Sequence, residues 1–384
     1  MNKYNKGDYM KKIKILQAGD LHFDTPFKEL NKKLSLMSKE ELLEVFSRII
    51  DLCVDNSVDI FLLTGDIFDN LTVDKKTLIY IKKQLERIQN IRVFISPGNH
   101  DPYNEKSFYK LIDWPKNVHI FKGEIESVII EDLKVAVWGA GFNNSYVRKS
   151  LLKDTEVNKD YINIMTIHGD ISNSDEGNEY NPITLKDIGK SNLDYIAIGH
   201  RHNFSGILKE KNTYYAYAGC PQGRGFDETG DKGVIIGDIS KEVVDLKFKR
   251  TSKRNYYLAE IDISNSMSYE EIKVKILNEI KEEDRQQNFY KIILKGEVEA
   301  FINLNENIIL EKIKDYFYYV KVIDKTEVKL DFDKIAEDYS IKGVYARKLL
   351  EMVKNQELEE EVIKMALKIG IQSLSSGEVN LDDY

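Results

Sequence analysis

Three times within its first hundred residues this chain carries a short apolar stretch that stops at a glycine followed by Asp or Asn. The stretches are 12–18 before Gly19-Asp20, 58–64 before Gly65-Asp66, and 91–96 before Pro97-Gly98-Asn99. Between them lie amphipathic segments. In 38–56 apolar residues recur at 42, 43, 45, 46, 49, 50, 53 and 54, a helical stripe with Ser38 as the expected N-cap, and 73–89 reads as a second helix. Strand, helix, strand, helix, strand implies a mostly parallel or mixed sheet with helices on its faces. A hairpin is expected over 128–138, turning at Glu131-Asp132, and the strands 161–167 and 195–198 each run into a histidine. From 213 to 248 the pattern is strand-rich, as expected of a second sheet packed on the first.

Such sheets collect ligand-binding residues beyond the carboxyl ends of their strands. Five short motifs sit there: Gly19-Asp20-Leu21-His22, Gly65-Asp66-Ile67-Phe68-Asp69, Gly98-Asn99-His100-Asp101, His168-Gly169 and Gly199-His200-Arg201-His202. They hold five of the six histidines, all but His119. Each motif alone has an ordinary explanation, since Gly-Asp after a strand is usually a turn and a lone histidine is usually a satisfied interior one. Five in succession, each at a strand end, point instead to one site. Carboxylate, amide oxygen and imidazole suit divalent ions such as Mn²⁺, Fe²⁺ or Zn²⁺. An ion pair roughly 3.5–4 Å apart needs a bridging group, which one Asp can supply.

Composition narrows the setting. Against 64 acidic residues stand 56 basic ones, a net charge of -8, so any nucleic-acid contact must come from local patches. Cys53 and Cys220 share no metal or disulfide spacing, no apolar run is long enough for a membrane span, and the first residues have no secretory signal. A cytoplasmic protein without membrane association is expected.

The motif set resembles the calcineurin-like metallophosphoesterases. The stretch 20–27 (DLHFDTPF) resembles the opening of YhaO-type bacterial DNA repair exonucleases, relatives of SbcD and of Mre-type nucleases, and 218–234 (AGCPQGRGFDETGDKGV) resembles the segment closing their nuclease domain. Cys220 is a departure, because serine is common there. The resemblance implies an α/β fold, a metallophosphoesterase β-sandwich flanked by helices in αββα layers. A small α+β capping domain and a helical C-terminal tail would follow. A basic run at 247–254 marks the first composition shift, and the implied divisions are 10–250, 251–330 and 331–384. The last segment holds 12 acidic and 7 basic residues, so its -5 is most of the net charge.

Residue by residue, the family pattern implies one metal on Asp20, His22, Asp66 and His202. A second falls to Asp66, Asn99, His168 and His200, with Asp66 bridging and Mn²⁺ the expected ion. His100 would stand beside the scissile phosphate as acid or electrostatic stabiliser, oriented by Asp101. Arg201, Arg224, Lys249 and Arg250 are candidate DNA contacts, although a lysine-rich strand edge can simply be solvated. Phe23, Phe68, Tyr103 and Phe226 fall near the expected mouth, where base stacking competes with core packing, the more common role for Phe23 and Phe68. The implied activity is that of a metal-dependent DNA exonuclease or endonuclease working with an SMC-like coiled-coil ATPase, and a homodimer is implied. A cyclic-nucleotide or other small-molecule phosphodiesterase, or a mainly structural subunit, stays open. The helix pattern at Val344, Leu349, Leu350 and Val353 suits a partner face or an ordinary helical core.

Overall fold

The computed structural model describes residues 11–69, 73–152, 155–172, 178–299, 304–329, 332–355 and 360–376. The chain divides into two compact units, Met1–Tyr257 and Leu258–Tyr384. Strand β12 of the first unit takes in part of the basic run at which composition shifts, and the segment 331–384 lies within the second unit.

Among the described residues the first unit is built on twelve strands: β1 (Ile13–Ala18), β2 (Ile60–Leu63), β3 (Arg92–Ile95), β4 (Val118–Ile120), β5 (Glu126–Ile130), β6 (Val135–Gly139), β7 (Ile162–His168), β8 (Tyr195–Gly199), β9 (Leu208–Glu210), β10 (Thr213–Tyr217), β11 (Gly233–Ile239) and β12 (Val244–Arg250). They form two six-stranded sheets in the orders β12-β11-β1-β2-β3-β4 and β5-β6-β7-β8-β10-β9. Strands β1 to β4 run parallel, and β11 and β12 extend that sheet antiparallel.

The layering follows from the period of two along each strand. Ile13 and Ile15 of β1 and Ile60 and Leu62 of β2 pack with Ile162 and Ile164 of β7 and Tyr195 of β8, between the sheets. The alternate residues Leu16, Ala18, Phe61 and Leu63 pack instead against helices α1 (Lys32–Asp55) and α2 (Lys75–Glu86). On the second sheet Met165, Ile167, Ile196 and Ile198 face outward under α3 (Leu185–Lys190) with its buried Ile188. The result is the helix–sheet–sheet–helix arrangement of the metallophosphoesterase fold. Because both faces of the central strands are covered, they read as continuous apolar runs such as IFLL. One buried polar residue clasps the sheets: Gln17 Nε2 donates to the carbonyls of Ile198 (3.3 Å) and Ala216 (3.1 Å), and the Tyr195 hydroxyl donates to Gln17 Oε1.

Helix α1 begins at Lys32, earlier than the expected cap at Ser38. Asn31 is the N-cap, its side chain accepting from the Leu34 N–H at 3.0 Å, and Ser38 is buried inside the helix. The hairpin pairs Ser127 with Trp138 and turns through 131–134 as expected.

A three-stranded sheet has the order β13 (Tyr256–Asp262), β14 (Phe289–Lys295), β16 (Tyr319–Asp324), all of it in the second unit except the first two residues of β13, and β15 (Glu297–Glu299) pairs with β17 (Glu327–Lys329). It is accompanied by α4 (Tyr269–Glu279), α5 (Glu282–Gln287) and α6 (Glu306–Ile313). The chain continues into α7 (Phe332–Glu337), α8 (Ile341–Lys354) and α9 (Glu360–Ser376). Ala346, Ile363, Leu367 and Ile371 form a small helical core that Leu349 and Leu350 help cover, whereas Val344 is exposed. The side chain of Val353 lies outside the described residues. Among the described residues no helix is long and apolar enough to cross a membrane.

Candidate metal centre

The five motifs lie at the carboxyl ends of five strands: Asp20 and His22 after β1, Asp66 after β2, Asn99 and His100 after β3, His168 closing β7, and His200 and His202 after β8. Adjacent loops are tied together, with the Asp20 N–H donating to Gly65 O (3.0 Å) and the His22 N–H to Asp66 O (2.9 Å). Four motif residues, Asp20, His22, Asp66 and His200, have positive φ (52°, 45°, 49° and 114°). Side chains seldom adopt that conformation, which costs about 1–3 kcal/mol each, and such strain persists where surrounding structure holds it for a functional purpose. Glycine is needed at 98, because a Cβ there would collide with Asp66 Oδ1.

The donor set is arranged around Asp66. Its Oδ2 lies 3.6 Å from His22 Nε2 and 3.4 Å from His168 Nε2, so one carboxylate oxygen stands between imidazoles assigned to different ions. His168 Nδ1 lies 2.9 Å from the Thr64 carbonyl, an acceptor, which makes Nδ1 the protonated nitrogen. Nε2 then turns a lone pair toward Asp66 and toward Asn99 Oδ1, 3.0 Å away. Acceptors facing acceptors are resolved by a cation. His22 points the same way, since both of its ring nitrogens are buried without a hydrogen-bond partner. The residues therefore fit divalent ions. Ligand atoms converge in three overlapping groups, Asp20/His22/His202, Asp20/Asp66/His168 and His22/Asp69/His100. His200 is outside these groups; its ring lies 5.3 Å from that of His168 and 5.1 Å from that of Tyr180.

Burial governs the protonation of this cluster. It pushes the carboxyl groups of Asp20 and Asp66 above the usual carboxylate range. It lowers His22 and His168 below the ordinary histidine value, and His200 to about 3. These imidazoles are neutral at pH 7, so a cation displaces no proton from them. Burial would lower His202 as well, but Glu228 and Asp20 raise it above the ordinary histidine value. The acid limit of metal binding is then set by protonation of His202 together with Asp20 and Asp66. Mn²⁺ affinity measured by calorimetry should fall as the pH is lowered from 8 to 5, and an affinity unchanged over that range would contradict this ordering.

One expected role is corrected. Asp101 does not orient His100. Its buried carboxylate instead accepts from the N–H groups of Gly98 (2.8 Å), Asp66 (3.2 Å), Ile67 (2.7 Å) and Phe68 (3.3 Å) and from the Tyr109 hydroxyl (2.7 Å). It is the clamp that holds two motif loops in register. Asp101→Ala would strand those donors in the interior and should cost about 3–5 kcal/mol of stability, read from urea unfolding of the metal-free protein.

The partner of His100 is Asp69, whose Oδ1 lies 3.2 Å from His100 Nδ1 and 3.7 Å from His22 Nδ1. Burial alone would raise the Asp69 carboxyl, but His100, His22 and Thr25 hold it well below the usual carboxylate range. Reciprocally, Asp69 raises His100 above the ordinary histidine value against the effect of burial. Asp69 closes the Gly65–Asp69 motif, so its proximity was signalled in the sequence while its function was not.

The candidate DNA contacts fall in different settings. Arg201 is half exposed, donating from Nε to Asp170 (2.9 Å) and from Nη2 to the Ile171 carbonyl (2.7 Å). Arg224 is largely buried against Glu228, with Nε 3.1 Å from Glu228 Oε1. Lys249 and Arg250 lie at the end of β12 beside Val234 and Gly233, the same end of the sheet as the motif loops, and Arg250 is 3.4 Å from Asp231. The neighbouring Lys253 and Arg254 are engaged by α1, at 2.6 Å from Glu44 and 2.9 Å from Glu41. Among the aromatics, Phe23 and Phe68 are core residues against Phe46 and Tyr109, Phe226 is buried against Tyr256, and Tyr103 is half-buried.

Comparison with known proteins agrees with this geometry. Residues 13–204 match the family model described as calcineurin-like phosphoesterase. Over 264 residues the chain is 30% identical to the uncharacterized metallophosphoesterase YhaO of Bacillus subtilis, a match covering 66% of this chain and 64% of that protein, so the chain spans slightly under two thirds of that relative's length. It is 23% identical to the DNA double-strand break repair protein Mre11 of Saccharolobus solfataricus across 93% of this chain and 98% of that one. It is 25% identical to the protein of the same name from Thermoplasma acidophilum across 61% and 66%. The family uses divalent metals, and the converging Asp and His groups are candidate ligands for them here. With its motifs, its layers and half its length matching, the chain belongs to the calcineurin-like phosphoesterases and is a hydrolase of that family.

Proposed function

We propose that this protein is a two-metal DNA nuclease, Mn²⁺-dependent, acting in repair beside an SMC-like coiled-coil ATPase. The observation that carries the two-ion part is Asp66 Oδ2 standing between His22 Nε2 and His168 Nε2. Asp20, His22, Asp66 and His202 would hold one ion, and Asp66, Asn99, His168 and His200 the other. Bound there, the ions supply Lewis-acid stabilisation of charge on the phosphoryl oxygens and activation of the attacking water.

The chain's own residues do the rest. His100, one-third exposed and raised above the ordinary histidine value by Asp69, donates a proton or a charge-assisted hydrogen bond to the departing oxygen. Asp101 keeps the Gly98 and Asp66 loops in mutual register, so His100 stays beside the metal ligands. Thr64 fixes the His168 tautomer.

The DNA assignment is supported by the Mre11 relatives, which are named as DNA double-strand break repair proteins, one of them matching along nearly its whole length. A substrate panel tests it. Purified protein with Mn²⁺ should cleave single- or double-stranded DNA and turn over a cyclic nucleotide poorly. Rapid turnover of the cyclic nucleotide with DNA left intact would assign the same centre to a small-molecule phosphodiesterase.

A further inference from the structure

The segment between β10 and β11 is not assigned any role by the motif pattern, yet it grips one metal-site histidine at both ends. Glu228, 4% exposed, places Oε1 2.7 Å from His202 Nδ1. The His202 carbonyl accepts from the Cys220 N–H (3.2 Å) and from the buried Lys232 Nζ (3.0 Å). Glu228 is itself held by Arg224, whose backbone N–H donates to Oε2 at 2.8 Å and whose guanidinium lies against Oε1.

The tautomer of the neutral imidazole, the form that can ligate a cation, follows from what surrounds it. Arg224 Nη2 also lies 3.1 Å from His202 Nδ1, so a donor and a carboxylate compete for that nitrogen. If Nδ1 carried the lone pair it would face the Glu228 oxygen at 2.7 Å, acceptor against acceptor in the interior. The proton would then sit on Nε2, whose nearest carboxylate, Asp20 Oδ1, is 3.9 Å away and beyond hydrogen-bond reach. In the other tautomer Nδ1–H donates to Glu228, and the Nε2 lone pair turns toward Asp20, two acceptors that a cation between them would join. Carboxylate partners of this kind orient ligating imidazoles and sharpen their basicity.

We propose that Glu228 is a positioning residue that fixes His202 as the Nδ1–H tautomer, so that the 218–233 segment selectively supports one of the two ion sites. This rests on the two-ion reading above, in which His202 serves one ion and His168 the other.

The test uses the full chain with Mn²⁺ alone, without DNA. Calorimetry of the unaltered protein should show two ions bound. In Glu228→Leu, Arg224 remains as a donor to Nδ1, and one of the two ions should bind about 10–100-fold more weakly while the other is retained. ¹⁵N NMR of the metal-free proteins, at a pH high enough for the ring to be neutral, should show His202 as Nδ1–H in the original and shifted toward Nε2–H in the variant. Equal affinity for both ions in the folded variant, or weakening of both together, would overturn the inference. Absence of any Mn²⁺ binding by the unaltered protein would instead overturn the two-ion reading itself. If Glu228→Leu does not fold, the NMR measurement on the original chain still decides, because an Nε2–H imidazole at His202 contradicts the proposal.

Discussion

Asp66→Ala should abolish metal-dependent phosphodiester hydrolysis, lowering kcat/KM by about 10³-fold or more. The loss follows because Asp66 Oδ2 stands between His22 and His168. Its Oδ1 accepts from the His100 N–H at 2.9 Å, so the same substitution releases the loop carrying the proposed acid. Loss of metal should therefore accompany loss of activity, and inductively coupled plasma analysis after dialysis should find the variant depleted. The metal-free variant should remain folded, since the substitution removes a buried carboxyl group whose charged form burial already disfavours. A variant retaining both ions and activity would remove Asp66 from the bridging position.

His100→Ala should separate binding from chemistry. A general acid contributes typically about 10²–10⁴-fold, and a loss in that range is expected in kcat, with Mn²⁺ stoichiometry unchanged. The separation is expected because His100 is not assigned to either ion, while its neighbour Asn99 is. Asp69→Asn should reproduce a smaller part of the loss. It withdraws the carboxylate 3.2 Å from His100 Nδ1, and the pKa of His100 should then fall toward the ordinary histidine value. The acid limb of the activity profile belongs to the ligands Asp20, Asp66 and His202 and the basic limb to His100, so only the basic limb should move to lower pH in Asp69→Asn. Full activity in a metal-loaded His100→Ala variant would exclude it from the reaction.

How far the site could be read in advance depended on where its residues lie relative to strand ends. Asp20, Asp66, His168 and the residues around them follow buried apolar runs, and the parallel order of those strands makes their loops converge. The sandwich was implied by the family resemblance, and the strand pattern misplaced its second sheet: of the strands in 213–248 only β10 lies there, because β11 pairs antiparallel with β1 and carries β12 onto the first sheet. Partnerships between side chains were less legible. Asp101 is adjacent to His100 in sequence, but the turn at 98–101 directs it back onto backbone N–H groups, and Asp69 arrives beside His100 from another loop. The start of α1 was missed because the cap is made by Asn31, ahead of a lysine-rich first turn in which the apolar stripe has not yet begun. Glu228 lay inside a recognised segment, yet only folding brings it to His202, 26 residues earlier.

The central claim is that the motifs hold two ions on a shared Asp66. Crystals soaked in Mn²⁺ and measured at the manganese absorption edge test it most directly. Two anomalous peaks are expected, one on the His22 side and one on the His168 side of the Asp66 carboxylate. A single peak, or two peaks that do not both contact Asp66, would contradict it.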